Sequence, residues 1–98
     1  MLSILIPTYN YNIVALVSEI HRQISNTEIP FEIICLDDAS TVFVAENLVV
    51  QQLQNTQYQI LQTNVGRSKI RNLLAQKAQY DWLLYLDADV MPKHHDFI

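Results

Sequence analysis

The chain has 98 residues, 50% hydrophobic and 16% charged, a balance that excludes an intrinsically disordered polymer and leaves room for one domain of the usual ~50–200 residues. A formal charge of −4, with six Lys and Arg spread along the chain, supplies no cationic footprint for phosphate backbones and argues against nucleic-acid binding. One cysteine, Cys35, permits no disulfide framework, no apolar stretch reaches the ~18–20 residues of a membrane span, and Met1-Leu2-Ser3 lacks the basic start of a signal peptide, so a cytoplasmic location is expected.

Leu2 to Ile6 is a short β-rich run closed by Pro7-Thr8-Tyr9-Asn10, because Pro7 cannot donate to an interior ladder. From Asn12 onward, Ile13, Val14, Leu16, Val17, Ile20 and Ile24 recur at three- and four-residue spacing, which predicts an amphipathic helix capped by Asn10 or Asn12. After Pro30, Phe31 to Leu36 reads as a strand covered on both faces, with Cys35 in the core and an end at Asp37-Asp38. Ser40 or Thr41 is placed to cap a second helix through about Leu53, with Val44, Leu48 and Phe43 turned inward.

Tyr58 to Leu61 is a weaker, alternating strand, followed by the turn Thr63-Asn64-Val65-Gly66, which holds the only glycine of the chain. Ser68 is a candidate cap for a third helix whose inward stripe is Ile70, Leu73, Leu74 and Ala78. Arg67, Lys69 and Arg71 crowd its first turn, opposing the helix dipole at a cost of about 0.3 kcal/mol or more unless an anion lies close by. Trp82 to Leu86 forms the last strand and ends at Asp87-Ala88-Asp89. Alternating strands and helices, with no repeat or linker, predict one α/β unit built on a parallel sheet with right-handed crossovers. In such sheets ligands bind beyond the carboxyl ends of the strands.

Asp87 and Asp89 stand two apart at a strand end, so an extended backbone sends both side chains to one face, where they can approach one cation together. Oxygen ligands suit Mg²⁺ or Mn²⁺ better than zinc; the plain alternative is a solvated acidic turn. Asp37 and Asp38 are adjacent, so one is expected to face outward as a ligand and the other to bond turn amides, with Asp38 favoured as the ligand. If strands one and two are neighbours, Tyr9 lies beside Asp38, and an aromatic face with a carboxylate can stack on a base and accept its ring N–H. Arg67 and Arg71, four apart near Gly66, can receive a diphosphate or serve as ordinary surface cations. His21 is expected on a solvated helix face and Trp82 in the core or at its rim. His94 and His95 are weak candidates for a metal.

Four segments taken together resemble the inverting glycosyltransferases of family 2, with the GT-A fold. They are Ser3-Ile4-Leu5-Ile6-Pro7-Thr8-Tyr9-Asn10, Cys35-Leu36-Asp37-Asp38-Ala39-Ser40, Asn64-Val65-Gly66-Arg67-Ser68 with Arg71-Asn72, and Tyr85-Leu86-Asp87-Ala88-Asp89. The resemblance implies a Rossmann-like, three-layer α/β/α nucleotide-binding half. In it Pro7, Thr8 and Tyr9 line the base pocket, Asp38 accepts from the base and Gly66 with Arg67 belongs to the nucleotide site. Arg71 would lie near the base or diphosphate, and Asp87 with Asp89 would bind ribose and the Mn²⁺ or Mg²⁺ diphosphate. Ala39 stands where the family commonly has glycine, Ile70 where it often has alanine, and Val90 where a further Asp is frequent.

The same resemblance places the acceptor site and catalytic base in a C-terminal half that begins near Ile98. The expectation is therefore a donor-binding part of a glycosyltransferase that takes a nucleotide-diphosphate sugar, a UDP-sugar above others, and carries no catalytic base. Membrane proximity would come only through that C-terminal region, and the isolated part is expected to be inactive and to self-associate through a free sheet edge. A different class, the phospho-acceptor receiver domain, shares the parallel sheet, an Asp-Asp pair at a strand end and an Asp followed by Met91-Pro92. There the acidic pair follows the first strand, whereas a full strand and helix precede Asp37 here.

Overall fold

A computed structural model describes residues 1–89. Four parallel strands are ordered β3-β2-β1-β4, with β1 at Leu2–Thr8, β2 at Phe31–Asp37, β3 at Thr56–Ile60 and β4 at Trp82–Tyr85. Helix α1 spans Val14–Ser25, α2 the single turn Val44–Asn47, continued by a 3₁₀ segment at Leu48–Gln52, and α3 spans Arg67–Lys77.

β1 runs two residues beyond the predicted Ile6 and includes Pro7, although it is an interior strand. Parity explains this. Pro7 shares the alternation of Leu5, whose carbonyl accepts the Leu86 N–H on the β4 side, and the β4 ladder stops at Leu5↔Tyr85. The missing donor of Pro7 therefore falls beyond that ladder and costs no bond.

The strand alternation divides the core into two layers. Ile4, Ile6, Ile33 and Cys35 pack with Leu16, Val17 and Ile20 of α1 on one face, and Leu5, Ile34 and Leu36 pack with Ile70 and Leu74 of α3 on the other. Each fully buried aliphatic side chain contributes about 1.5–3 kcal/mol, and the result is the expected three-layer α/β/α arrangement. Cys35 is fully buried, and that burial pushes its thiol pKa upward.

Helix caps and the second helix differ from expectation. Neither Asn10 nor Asn12 is the cap of α1: Ile13 holds that position with no side-chain cap, and Asn12 just before it accepts the Val14 N–H through Oδ1 at 3.0 Å. The helix predicted from Ser40 to Leu53 shrinks to α2 and its 3₁₀ extension, because Phe43 adopts a left-handed φ of 67° that blocks earlier helix propagation. Ser40 is occupied elsewhere, with its amide on Asp37 and its hydroxyl accepting from Asn10. Phe43 and Leu48, expected inward, are 38% and 46% exposed, while Val44 and Val50 meet the core. Asn47 takes the inward position instead: buried amide bonds to the β1–α1 loop won over an apolar stripe.

α3 starts at Arg67 with Gly66 before it, and Ser68 makes no cap. Trp82, expected in the core or at its rim, is 73% exposed, because β4 is an edge strand that no further described element covers. His21 is half-buried rather than freely solvated, with Nε2 2.9 Å from the Gln54 carbonyl oxygen and its ring edge-on to Phe31 at 5.6 Å. His94 and His95 lie outside the described residues.

Candidate nucleotide-sugar site

A cavity of about 530 Å³ opens at the carboxyl ends of β1, β2 and β4, beside the start of α3. β1 and its following loop contribute Pro7, Thr8, Tyr9 and Tyr11; Asp38 follows the end of β2; the turn into α3 and its first turn contribute Asn64, Gly66, Arg67 and Ile70; and β4 leads to Asp87, Ala88 and Asp89. The crevice beyond the strand ends is where an open parallel sheet gathers loops from separate elements.

Of the two adjacent aspartates, both are buried and both accept turn amides, so the expected split between an outward carboxylate and an amide-bonded one is replaced by a difference in position: only Asp38 borders the cavity. Asp37 is fully buried, with Oδ1 accepting the Ser40 N–H at 2.8 Å and Oδ2 accepting the Tyr58 hydroxyl. Burial and that hydrogen bond to Asp37 together hold the Tyr58 pKa above the ordinary phenol range. Asp38 borders the cavity. Its own N–H bonds the Thr8 carbonyl at 2.8 Å, and its carboxylate accepts the Val65 and Gly66 amides at 2.7 and 3.0 Å. Each carboxylate oxygen has two lone pairs, so one on each remains for a ligand donor. Asn64 closes the corner by donating from Nδ2 to the Asp38 carbonyl at 3.1 Å.

Asp87 and Asp89 are both exposed at the cavity wall. Arg67 Nη2 lies 3.4 Å from Asp87 Oδ1, so a cation already stands beside one carboxylate of the pair. Two carboxylates and no nitrogen or sulfur donor fit Mg²⁺ or Mn²⁺, which take few protein carboxylates and complete their shell with water and phosphate oxygens. Among the described residues no group of three or more His, Cys, Asp or Glu could hold an ion, so Asp87 and Asp89 would leave most of the shell to water and phosphate oxygens. Arg71 is the predicted residue that the structure does not bring to the wall. Its guanidinium carbon lies 4.2 Å from the centre of the Tyr85 ring, and the Tyr85 hydroxyl donates to the Arg71 carbonyl at 3.1 Å.

Tyr11 lines the cavity without having been singled out from sequence. An aromatic two residues past Tyr9 was its only signal, and nothing in the spacing said which of the two would face inward.

With this geometry in place, comparison decides the family. Glycosyl transferase family 2 matches residues 3–97. The chain belongs to that family. It is 37% identical over 93 residues to an uncharacterized glycosyltransferase of Haemophilus influenzae, covering 91% of this chain and 29% of that protein. The chain thus spans less than a third of that curated relative. Among solved structures, TarS 1–349 of S. aureus in complex with UDP superposes with a TM-score of 0.73 at 27% identity, over 90% of this chain and 27% of that one. The same protein with UDP-GlcNAc gives 0.66 at 28% identity, over 90% and 26%. The mannosyltransferase PcManGT of Pyrobaculum calidifontis, in complex with GDP-Man and Mn²⁺, gives 0.73 at 19% identity over 97% of this chain and 29% of that one, a likeness of fold. The receiver alternative is overturned by the family match and by topology: a receiver sheet has its first strand between the second and third, whereas β1 here lies between β2 and β4.

Proposed function

We propose that this chain is the donor-binding part of a glycosyltransferase that holds a nucleoside diphosphate sugar, with uridine as the nucleoside. The observation that carries the reading is the gathering of Tyr9, Asp38, Gly66, Arg67, Asp87 and Asp89 around one cavity at the strand ends. Similarity to a TarS fragment solved with UDP and with UDP-GlcNAc supports uridine.

In this reading Pro7, Thr8 and Tyr9 border the base, and Asp38 accepts its ring N–H through a lone pair left free by the two amides. Asp87 and Asp89 hold Mn²⁺ or Mg²⁺ against the diphosphate, and Arg67 adds positive charge beside them. The metal, when bound, stabilises negative charge building on the leaving diphosphate. Transfer with inversion forms a bond from an acceptor oxygen to the anomeric carbon while the bond from that carbon to the diphosphate oxygen breaks; the acceptor proton passes to a base. The acidic groups at the cavity are Asp38, Asp87 and Asp89, all assigned to the donor, so the base falls to a group outside residues 1–89.

No helix among the described residues is long and apolar enough to cross a membrane. We place the donor site in the cytoplasm, assign any membrane proximity to regions beyond this chain, and infer that the chain on its own self-associates along β4.

Calorimetric titration tests the reading. UDP is expected to bind with Mn²⁺ or Mg²⁺ present and to lose most of its affinity in EDTA. Asp89→Ala is expected to bind UDP weakly and with no metal dependence while its circular dichroism stays unchanged. Equal affinity with EDTA would remove the metal role, and absence of binding by any nucleoside diphosphate would remove the donor site.

A further inference from the structure

A buried side-chain amide holds the loop that borders the cavity. Asn47 of α2 is fully buried. It spends both ends of its amide on one loop: Oδ1 accepts the Ile13 N–H at 2.9 Å and Nδ2 donates to the Tyr11 carbonyl at 2.8 Å. The other side of that loop is fixed as well. Asn10 sits at a φ of 51°, its N–H donates to Ser40 Oγ at 2.7 Å, and its Oδ1 accepts the Thr41 N–H at 2.8 Å.

Tyr11 is therefore clamped through its backbone on both sides, yet its side chain is 44% exposed and borders the cavity. The clamp satisfies backbone groups of the loop and in doing so fixes where the Tyr11 ring stands at the cavity. Its place in the fold fixes what it can meet: the loop is tied to α2 and to the end of β2, on the opposite side of β1 from β4 and the Asp87/Asp89 pair. That side belongs to Tyr9 and Asp38, where the nucleoside sits in the proposed function.

We propose that Tyr11 is a second aromatic contact for the nucleoside of the donor, and that Asn47 is the positioning residue that sets its place. The proposal rests on the donor-site reading and goes beyond it by assigning two residues. Asn47→Asp keeps an acceptor for Ile13 but loses the donor to the Tyr11 carbonyl; Tyr11→Ala removes the ring.

Binding of UDP and of inorganic pyrophosphate, each with Mn²⁺, separates the possibilities. Tyr11→Ala is expected to weaken UDP about tenfold, the scale of one lost base–aromatic stack, and to leave pyrophosphate unchanged. Asn47→Asp should weaken UDP in the same selective way, and the double variant should be no weaker than Tyr11→Ala, since one residue acts through the other. Unchanged UDP affinity in Tyr11→Ala overturns the proposal. So do equal losses for UDP and pyrophosphate, which a merely structural Asn47 would give, and additive losses in the double variant. Where wild type gives no pyrophosphate heat, the double-variant cycle decides alone. If Asn47→Asp does not fold, Asn10→Gly, which keeps the positive φ and cuts the bond to Thr41, takes its place. Wild type failing to bind UDP overturns the donor-site reading and this proposal with it; wild-type binding with unaltered variants overturns this proposal only.

Discussion

Gly66 donates its backbone N–H to Asp38 Oδ2 at 3.0 Å, and its neighbour Val65 reaches Oδ1 at 2.7 Å. The carboxylate thus stands at the head of α3, where Arg67 and Lys69 oppose the helix dipole, and it offsets the cost that their position implies. A ligand on Asp38 would at the same time feel the start of α3.

Gly66→Ala is expected to destabilise the fold by about 1–3 kcal/mol, the cost of a backbone region held almost only by glycine. A new Cβ would meet nothing within 4 Å, so the penalty is torsional, arising from φ 91° and ψ 164°. Urea unfolding measures it; an unchanged midpoint would mean that the turn relaxes freely.

Ala39 gives the opposite case. It sits at a φ of 62°, in a left-handed region that costs a non-glycine residue about 1–2 kcal/mol. Ala39→Gly removes that cost and gives back about 0.5–1 kcal/mol in unfolded-chain entropy. The net expectation is a gain of about 0.5–1 kcal/mol, read as a higher Tm in a thermal melt.

The two arginines of α3 should separate by function. Arg67 borders the cavity beside Asp87, so Arg67→Ala should weaken UDP binding several-fold with little change in stability, as its exposed ion pair contributes at most about 1 kcal/mol. Arg71 lies over Tyr85, so Arg71→Ala should cost about 0.5–1 kcal/mol of stability and less affinity than Arg67→Ala. Calorimetry and urea melts on both variants decide, and a larger affinity loss at Arg71 would show that its side chain swings to the ligand.

The fold class was legible in the sequence, as was the gathering of the strand-end segments at one cavity, and the departures have tertiary causes. Strand-end motifs at Pro7, Asp38 and Asp87 could be read because a parallel sheet fixes where strand ends go. Phe43 and Leu48 were expected inward because apolar spacing alone assumes a regular helix, whereas a positive φ at Phe43 and the bonds of Asn47 to the Tyr11 and Ile13 backbone belong to an irregular segment. Arg71 was read as a diphosphate ligand or an ordinary surface cation; its guanidinium lies over the Tyr85 ring, a tertiary contact with no local signature.

Stability should fall at alkaline pH, first through the Cys35 thiol and more steeply once the Tyr58 phenol joins it. Cys35 and Tyr58 both have folded-state pKa values raised, the first by burial and the second by burial and then by Asp37. Raised acids favour the fold fully below their ordinary values, here 9.0 for the thiol and 10.0 for the phenol. That stability is lost as pH climbs past them, with a slope approaching about 1.4 kcal/mol per pH unit for each group. Cys35→Ala should delay the onset of the loss toward the phenol range, as read by urea melts from pH 7 upward; an unchanged onset would assign the loss to other groups.

Trp82 is the chain's single tryptophan, and it lies on the open edge strand. The protein therefore carries its own optical gauge of that edge. Emission from an indole in water is red and accessible to iodide, so a blue shift and loss of quenching with rising concentration, or on joining a longer polypeptide, would report cover arriving on β4 without any label. Because the cavity lies past the carboxyl ends of the strands and Trp82 begins β4, nucleotide binding should leave that signal still.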